Sequence, residues 1–490
     1  MLRLGAPETI VLVAALGVLA ADLLFLRDVE MPFRKVIAAM IAVVGCLAAS
    51  IWMLVLPEHA NGFDGMLVLD PLTQLVKIAV LGLALFTALI SIERDFTTHV
   101  GEYLALVLFA ALGMMFLVSS EDILMIFVSL EMTSLSLYIL TAFNKRNVKS
   151  AEAALKYFLF GGMAAAFTLF GLSLLYGLTG ETNLGKIAAA LKGAKLDPLF
   201  VLAIVMTVIG FGFKVAAAPF HLWAPDAYEG APVPSAAFIA SGSKVASFFI
   251  AAKVMMVGFA GAEGSAAWAH GAPGWVPVVA LGAVLSIVLG NLAAIAQTSV
   301  RRLLAYSAIA HAGYTLVGLL SHNGPGLASV VFYSVTYALT TLGAFGVVAV
   351  VQERAGGDKL SDFAGLSRRE PILSFCMFIF MLSLAGIPPL AGFFGKFYLF
   401  ASALGGAGND LGLLWLVILA IAFSAISLYY YLQVLKQIYI APAPAELPDS
   451  GSPIITRVAL GLMASLVLLL GCAPDLLLGS VVRAIRVAGL

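Results

Sequence analysis

The sequence predicts an all-α polytopic membrane protein with about fourteen transmembrane helices, and three observations carry that prediction. Only 11% of its residues are charged and 62% are hydrophobic, against roughly 25% charged in an ordinary soluble domain. Apolar runs of about twenty residues recur along the chain, each long enough to cross about 30 Å of hydrocarbon. Within these runs sit six lysines (Lys77, Lys156, Lys214, Lys244, Lys253 and Lys396) and one glutamate, Glu131. A β-barrel would show short alternating segments instead.

Taken in order, the predicted spans fall at 7–26, 33–56, 72–92, 102–118, 122–142, 150–178, 198–218, 232–257, 275–297, 303–320, 327–352, 371–403, 411–438 and 454–478. The first is read as a span and not as a removed signal, because it lacks a basic start and a cleavage pattern. The longest connections, around 179–197, 353–370 and 439–457, are too short to fold as soluble domains. Residues 1–490 therefore form one membrane domain.

Spans seven and twelve contain helix breakers, in Gly210-Phe-Gly-Phe-Lys-Val-Ala-Ala-Ala-Pro219 and Leu384-Ala-Gly-Ile-Pro-Pro-Leu-Ala-Gly-Phe-Phe-Gly-Lys396. Pro388 and Pro389 remove two backbone donors, which opens a helix locally. Unwound backbone at membrane depth survives only inside protein or beside a wet cavity. The two breaks lie five spans apart. Spans 4–8 (101–258) and 9–13 (275–440) thus read as two copies of a five-helix unit, inverted because five is odd. Three helices in 1–100 precede the repeats and a C-terminal helix in 441–490 follows.

Positive charge sets the expected orientation. One set of alternate loops holds Arg27, Arg34, Lys35, Arg94, Lys145, Arg146, Lys149, Arg301, Arg302, Arg354, Lys359, Arg368, Arg369, Lys436 and Arg457. The opposite side holds Arg3, Lys186, Lys192, Lys195, Arg483 and Arg486. The richer side is expected to be cytoplasmic, with both termini outside.

The composition also excludes functions. Zero net charge gives nucleic-acid binding no electrostatic support. Three isolated cysteines suggest neither a disulfide framework nor a zinc or iron–sulfur site. Gly210-Phe-Gly212 does not extend to a dinucleotide-binding pattern and lies in a span. No nucleotide loop and no paired haem histidines occur. No cofactor is expected in this chain, so energy for transport must come from an ion gradient or a partner.

The intramembrane charges are the candidate site. A charge at mid-bilayer costs roughly 2.5–3.5 kcal/mol on insertion scales, and such residues pair or line ion paths. Glu131 is either a hydrogen-bonded core acid or an acid whose proton occupancy depends on a lysine. Lys214, five residues before Pro219, and Lys244, near mid-membrane, are its candidate partners. Lys396 follows the double-proline break. Lys156 follows Glu152 at i+4, so a local ion pair stands beside a place in the wet interior. Lys253 lies near the outer end of its span, where snorkelling or a local pair accounts for it, and Lys77 lies a few residues into span three, where snorkelling competes with a functional place. His311 is either a satisfied core histidine or a relay between two lysines. Ser334, Thr336, Tyr337, Thr340 and Thr341 beside it hold waters or serve helix packing.

The segments Phe213-Lys-Val-Ala-Ala-Ala-Pro-Phe-His-Leu-Trp-Ala-Pro-Asp-Ala-Tyr-Glu-Gly-Ala-Pro232, Arg302-Leu-Leu-Ala-Tyr-Ser-Ala-Ile-Ala-His-Ala-Gly-Tyr314 and 384–396 closely resemble signatures of the antiporter-like subunits of respiratory complex I, the proton-pumping NADH:quinone oxidoreductase. The resemblance covers essentially the whole chain. Phe-His-Leu-Trp at 220–223, a lysine in span twelve and an end after span fourteen resemble the N-type branch. The resemblance implies that Glu131 pairs with Lys214, that Lys244 links the two halves, and that Lys396 faces an outer half-channel. Lys156 and His311 would then belong to a hydrophilic axis in the membrane plane. It also implies a bacterial inner-membrane location and neighbouring M-type and K-type subunits. NADH, FMN, iron–sulfur clusters and quinone would be handled in other subunits. Separating Glu131 from Lys214 would send a proton toward Lys244, then through His311 to Lys396. The alternatives are an Mrp-type sodium/proton antiporter subunit and a scaffold without its own proton path.

Overall fold

The computed structural model of the protein describes residues 3–57, 59–193, 196–405, 411–442 and 452–488. Lys195, counted above among the loop charges, lies outside the described residues. Twenty α-helices are present among those described. They begin with α1 (Ala6–Leu24), α2 (Met31–Met53), α3 (Pro71–Ser91), α4 (Val100–Ser119), α5 (Ile123–Thr141) and α6 (Val148–Thr179). A short α7 (Leu184–Ala190) precedes α8 (Pro198–Lys214), α9 (Trp223–Gly230), α10 (Val233–Ala240) and α11 (Gly242–Lys253). Then come α12 (Trp275–Ile295), α13 (Val300–Leu319), α14 (Gly324–Ala355), α15 (Leu366–Arg369), α16 (Pro371–Ala385), α17 (Ala391–Leu404), α18 (Leu414–Tyr439), α19 (Ile454–Cys472) and α20 (Asp475–Ala488).

Eleven helices among the described residues are long and apolar enough to cross a membrane, counting 233–258 as one, and α8, α16 and α17 are shorter apolar helices. Their starts follow from loop chemistry. Asp70, Asp122, Asn147, Asp197, Ser299 and Asn323 each accept a hydrogen bond from the first turn of the helix that follows, which satisfies donors that a helix leaves open. The two longest helices, α6 and α14, each end at a left-handed glycine, Gly180 and Gly356, a conformation that costs a residue without Cβ little.

Several details depart from the sequence reading. Two small antiparallel hairpins, 60–62 with 67–69 and 265–266 with 271–272, interrupt the all-α pattern. Two helices, α19 and α20, stand where one C-terminal helix was expected; α20 buries Val481, Ala484 and Ile485 and packs on α14 and α3. The predicted eighth span is not continuous: it bends at Ser241 between α10 and α11. The Ser241 hydroxyl donates to the Ala237 carbonyl at 2.7 Å, a back-bond that competes with the helix ladder.

The 233–258 stretch is wholly buried within the chain and α14 nearly so. α14 packs against α3, α10, α11, α13, α16, α17, α19 and α20. Helices hidden on all sides need no polar face, and these two supply most of the interior on which the charged groups stand.

Lys77 and Lys253 are not surface anchors. Lys77 is 1% exposed and donates to Glu8 at 2.5 Å, joining α3 to α1. The Lys253 ammonium, also buried, lies 2.9 Å from the Glu121 carboxylate, an ion pair without hydrogen-bond alignment. Removing one partner of a buried pair leaves a lone charge and costs about 3–5 kcal/mol. Lys77→Met alone is therefore expected to lower the unfolding temperature or assembly yield sharply. The Glu8→Gln/Lys77→Met double variant is expected to recover most of that loss, as read by thermal unfolding in detergent.

Candidate functional site

The first break lies between α8 and α9. Its open backbone groups find substitutes: the Trp223 indole donates to the Phe213 carbonyl at 3.1 Å, and the Ala218 N–H donates to the Ser286 hydroxyl at 2.8 Å. Lys214, the last residue of α8, is held where the helix stops. Its ammonium donates to the Ser134 hydroxyl at 2.5 Å and lies 3.6 Å from the Glu131 carboxylate, both on α5. That carboxylate oxygen has no hydrogen-bond partner among the described residues. Glu131 keeps 27% of its side chain exposed, whereas Lys214 keeps 9%. The pair thus joins the edge of the chain to its interior.

Lys244 stands one turn into α11, just past the Ser241 bend. It is buried, donates to the Ala308 carbonyl of α13 at 2.7 Å, and lies 5.8 Å from the Tyr337 ring centroid. No carboxylate among the described residues lies within ion-pair reach of it.

The second break, between α16 and α17, solves its backbone problem differently. A helix would pair the Leu384 and Ala385 carbonyls with the N–H groups of residues 388 and 389. Both of those are proline, so the two carbonyls are left open. Lys396 takes them, at 2.9 and 3.1 Å, and completes its shell with the Ser424 hydroxyl at 2.9 Å. The Tyr314 ring lies 5.1 Å from the ammonium.

His311 lies between these lysines on α13, three residues from Ala308, whose carbonyl holds Lys244, and three from Tyr314, whose ring faces Lys396. Both of its ring nitrogens meet hydroxyls: Nδ1 meets Tyr333 at 2.5 Å and Nε2 meets Tyr431 at 2.9 Å. Tyr431 also meets Ser307 at 2.5 Å. Asn291 ties Tyr314 to Tyr430, donating to the first and accepting from the second, each at 3.0 Å. On α14, Thr336 and Thr340 bond carbonyls of their own helix. The hydroxyls of Ser334, Tyr337 and Thr341 have no hydrogen-bond partner among the described residues.

Lys156 is not brought into this interior line. It is 41% exposed and bridges Glu152, at 2.7 Å, to Asp226, at 2.8 Å. Arg302 extends the cluster by binding Asp226 and Glu229, and Lys149 meets Glu229 as well. The sequence reading missed Tyr333, Tyr431, Tyr430, Tyr314, Asn291 and Ser424. Asn291, a lone amide within an apolar span, was a readable signal. So was the i to i+4 spacing from residues 384 and 385 to the two prolines.

Residues 120–427 match the family described as NADH:quinone oxidoreductase/Mrp antiporter, TM. The chain belongs to this family. The matched stretch contains Glu131, Lys156, Lys214, Lys244, His311 and Lys396. A relative from Acidobacterium capsulatum, named NADH-quinone oxidoreductase subunit N 2, is 54% identical over 98% of each chain. One from Synechocystis sp., named NAD(P)H-quinone oxidoreductase subunit 2, is 40% identical over 90% of this chain and 83% of its own. Among solved structures, a chain of respiratory complex I from Thermus thermophilus with bound aureothin is 35% identical, with a TM-score of 0.78 over 96% of this chain and 98% of that one. A chain of the Mrp complex from Dietzia sp. shares the fold at 20% identity, with a TM-score of 0.83 over 99% and 98%.

In this family member, Gly386 shapes the Lys396 site. It caps α16 at φ +87°, and a Cβ there would stand 3.2 Å from Lys396 Cδ. Gly386→Ala is expected to cost about 1–2 kcal/mol in backbone strain and to displace the ammonium. Gly461→Ala on α19, whose Cβ meets nothing within 4 Å, is expected to be neutral. Thermal unfolding and proton transport measured on the two variants check this.

Proposed function

We propose that this chain is an N-type subunit in the membrane arm of an NADH:quinone oxidoreductase, where it moves protons across the bilayer while quinone is reduced elsewhere in the complex. One observation carries the reading. Among the described residues, four buried or half-buried groups, Glu131, Lys214, Lys244 and Lys396, form a series in which only the first lysine faces a carboxylate and the other two have neutral acceptors alone. A lysine held by neutral groups tolerates both of its protonation states better than one locked to an acid.

In the proposed cycle, withdrawal of Glu131 removes the charge that holds the Lys214 ammonium, and the proton moves toward Lys244. It then passes by the His311 hydroxyl cluster to Lys396 and out. Lys156, with Asp226 and Arg302, forms a separate charged cluster nearer the edge of the chain, which we assign a supporting place in the relay; M-type and K-type subunits are the expected neighbours. We also propose fourteen spans in which 101–258 and 275–440 are inverted repeats flanked by 1–100 and 441–490, with both termini outside the bacterial inner membrane. The paired interruptions at Lys214 and before Lys396 support the repeats, and the loop-charge asymmetry supports the orientation. NADH, FMN, iron–sulfur clusters and quinone are assigned to other subunits. The identities and names of the relatives from Acidobacterium capsulatum and Synechocystis sp. favour this reading over an Mrp-type antiporter.

Size-matched neutral replacements test it: Glu131→Gln, Lys214→Met, Lys244→Met and Lys396→Met, each in the assembled complex in vesicles. Each is expected to slow coupled proton transport by about tenfold or more without loss of assembly. An unchanged number of protons per electron in all four would establish a scaffold instead. Sodium-dependent exchange by this chain alone would establish an antiporter.

A further inference from the structure

Behind the terminal lysine stands a single amide. Asn291 lies in the last two turns of α12 and is fully buried, where an amide is costly unless its polar atoms are served. Its Nδ2 donates to the Ile287 carbonyl at 2.7 Å and to the Tyr314 hydroxyl at 3.0 Å, and its Oδ1 accepts from the Tyr430 hydroxyl at 3.0 Å. A backbone carbonyl can only accept, so the contact with Ile287 settles which way the amide points. The roles of both hydroxyls follow: the Tyr314 oxygen receives a hydrogen bond and the Tyr430 O–H gives one.

The Tyr314 ring has the Lys396 ammonium over its face, 5.1 Å from the centroid, and meets the His311 ring edge-on at 5.6 Å. An aromatic face attracts a cation, more strongly where water is excluded. The other contacts of Lys396 are two carbonyls and a hydroxyl. α17 packs on α13, α14, α16, α18 and α19. The titratable groups gathered here are His311 and Tyr314 from α13, Tyr333 and Tyr337 from α14, and Tyr430 and Tyr431 from α18. Tyr398 shares α17, and α16 and α19 carry Cys376 and Cys472. The Asp, Glu, Lys and Arg residues of those five neighbouring helices all stand in terminal turns. Among the described residues, no carboxylate competes with the ring for the ammonium.

We propose that Asn291 is a positioning residue for Lys396: by tethering the Tyr314 hydroxyl it keeps that ring face-on to the ammonium, and so sets how firmly Lys396 holds its proton. The proposal rests on the proton-translocation reading. Asn291 touches neither the lysine nor the proton and acts through the angle of one ring. Without the amide, the Tyr314 hydroxyl is stranded in the interior at a cost that turning the ring toward another partner relieves. The face then leaves the ammonium, and the charged lysine loses about three- to tenfold in its balance against the neutral one.

The test is the pH profile of coupled proton transport by the assembled complex in vesicles. A face-on ring favours the charged lysine, so its loss lets the proton leave at lower pH. Asn291→Leu is expected to move the alkaline limb about half to one pH unit lower. Adding Tyr314→Phe removes the stranded hydroxyl, and the Asn291→Leu/Tyr314→Phe double variant is expected to return the limb to its original position. Should Asn291→Leu fail to assemble, Asn291→Ser strands the same hydroxyl and is read in the same way. A limb that stays in place while the unfolding temperature falls would make Asn291 a tie between helices and overturn the proposal. A shift that the double variant does not reverse would overturn it too, because the amide would then act by another route. Lys396→Met serves beside them: full transport there would sink the translocation reading itself, whereas impaired transport there with an unmoved limb in Asn291→Leu would sink the positioning role alone.

Discussion

The cost of keeping an ammonium away from water sets the terms for the interior of this protein. Each buried lysine must find acceptors inside the chain. Three kinds are used. Lys77, Lys214 and Lys253 meet carboxylates, Glu8, Glu131 and Glu121. Lys244 takes a helix carbonyl, and Lys396 takes two carbonyls that Pro388 and Pro389 have left without donors. The double proline is therefore the source of the Lys396 site as well as an interruption of the helix. The break creates the acceptors, and the lysine removes the penalty of leaving them open.

The two breaks look alike in sequence and are resolved by different chemistry. At the first, an indole and a serine hydroxyl absorb the open backbone groups. Lys214 is left with Ser134 and the carboxylate on α5. At the second, the lysine itself absorbs them. The wholly buried 233–258 stretch and α14 separate the two sites, and the His311 cluster spans α13, α14 and α18 between them. Because α14 and the 233–258 stretch are largely covered, the polar groups on them that find partners find them inside the chain.

Much of this was legible in the sequence. Apolar runs located the eleven helices among the described residues that are long and apolar enough to span, since a span needs little beyond length and hydropathy. Glycine and proline located both breaks. Lys214, Lys244, Lys396 and Glu131 stood out because charge within apolar sequence is rare. What escaped depends on facing and not on composition. Lys77 lies near a span end, where a lysine can reach the interface, and only the packing of both α1 and α3 against α2 and α4 brings Glu8 to it. The tyrosines around His311 come from three helices, α13, α14 and α18, and nothing in any one of them shows that their hydroxyls converge. The bend at Ser241 went unread although Gly242 adjoins it, because the back-bond that accompanies it depends on where the serine hydroxyl points. The two hairpins are too short to produce a strand pattern.

The placement of the one carboxylate in the proposed line bears on how such a line responds. At an effective dielectric near 20, two unit charges about 4 Å apart attract by about 4 kcal/mol. Doubling that separation removes about half, which is more than a tenfold change in the balance between a charged and a neutral lysine. Lys244 and Lys396 offer no comparable lever, because no charged partner among the described residues faces them. The 3.6 Å Glu131–Lys214 contact is thus the point where displacement converts most efficiently into proton affinity. Glu131 is also the member of the line with the most exposure, on a helix at the edge of the chain. In the proposed cycle, a push arriving from outside would meet this contact first.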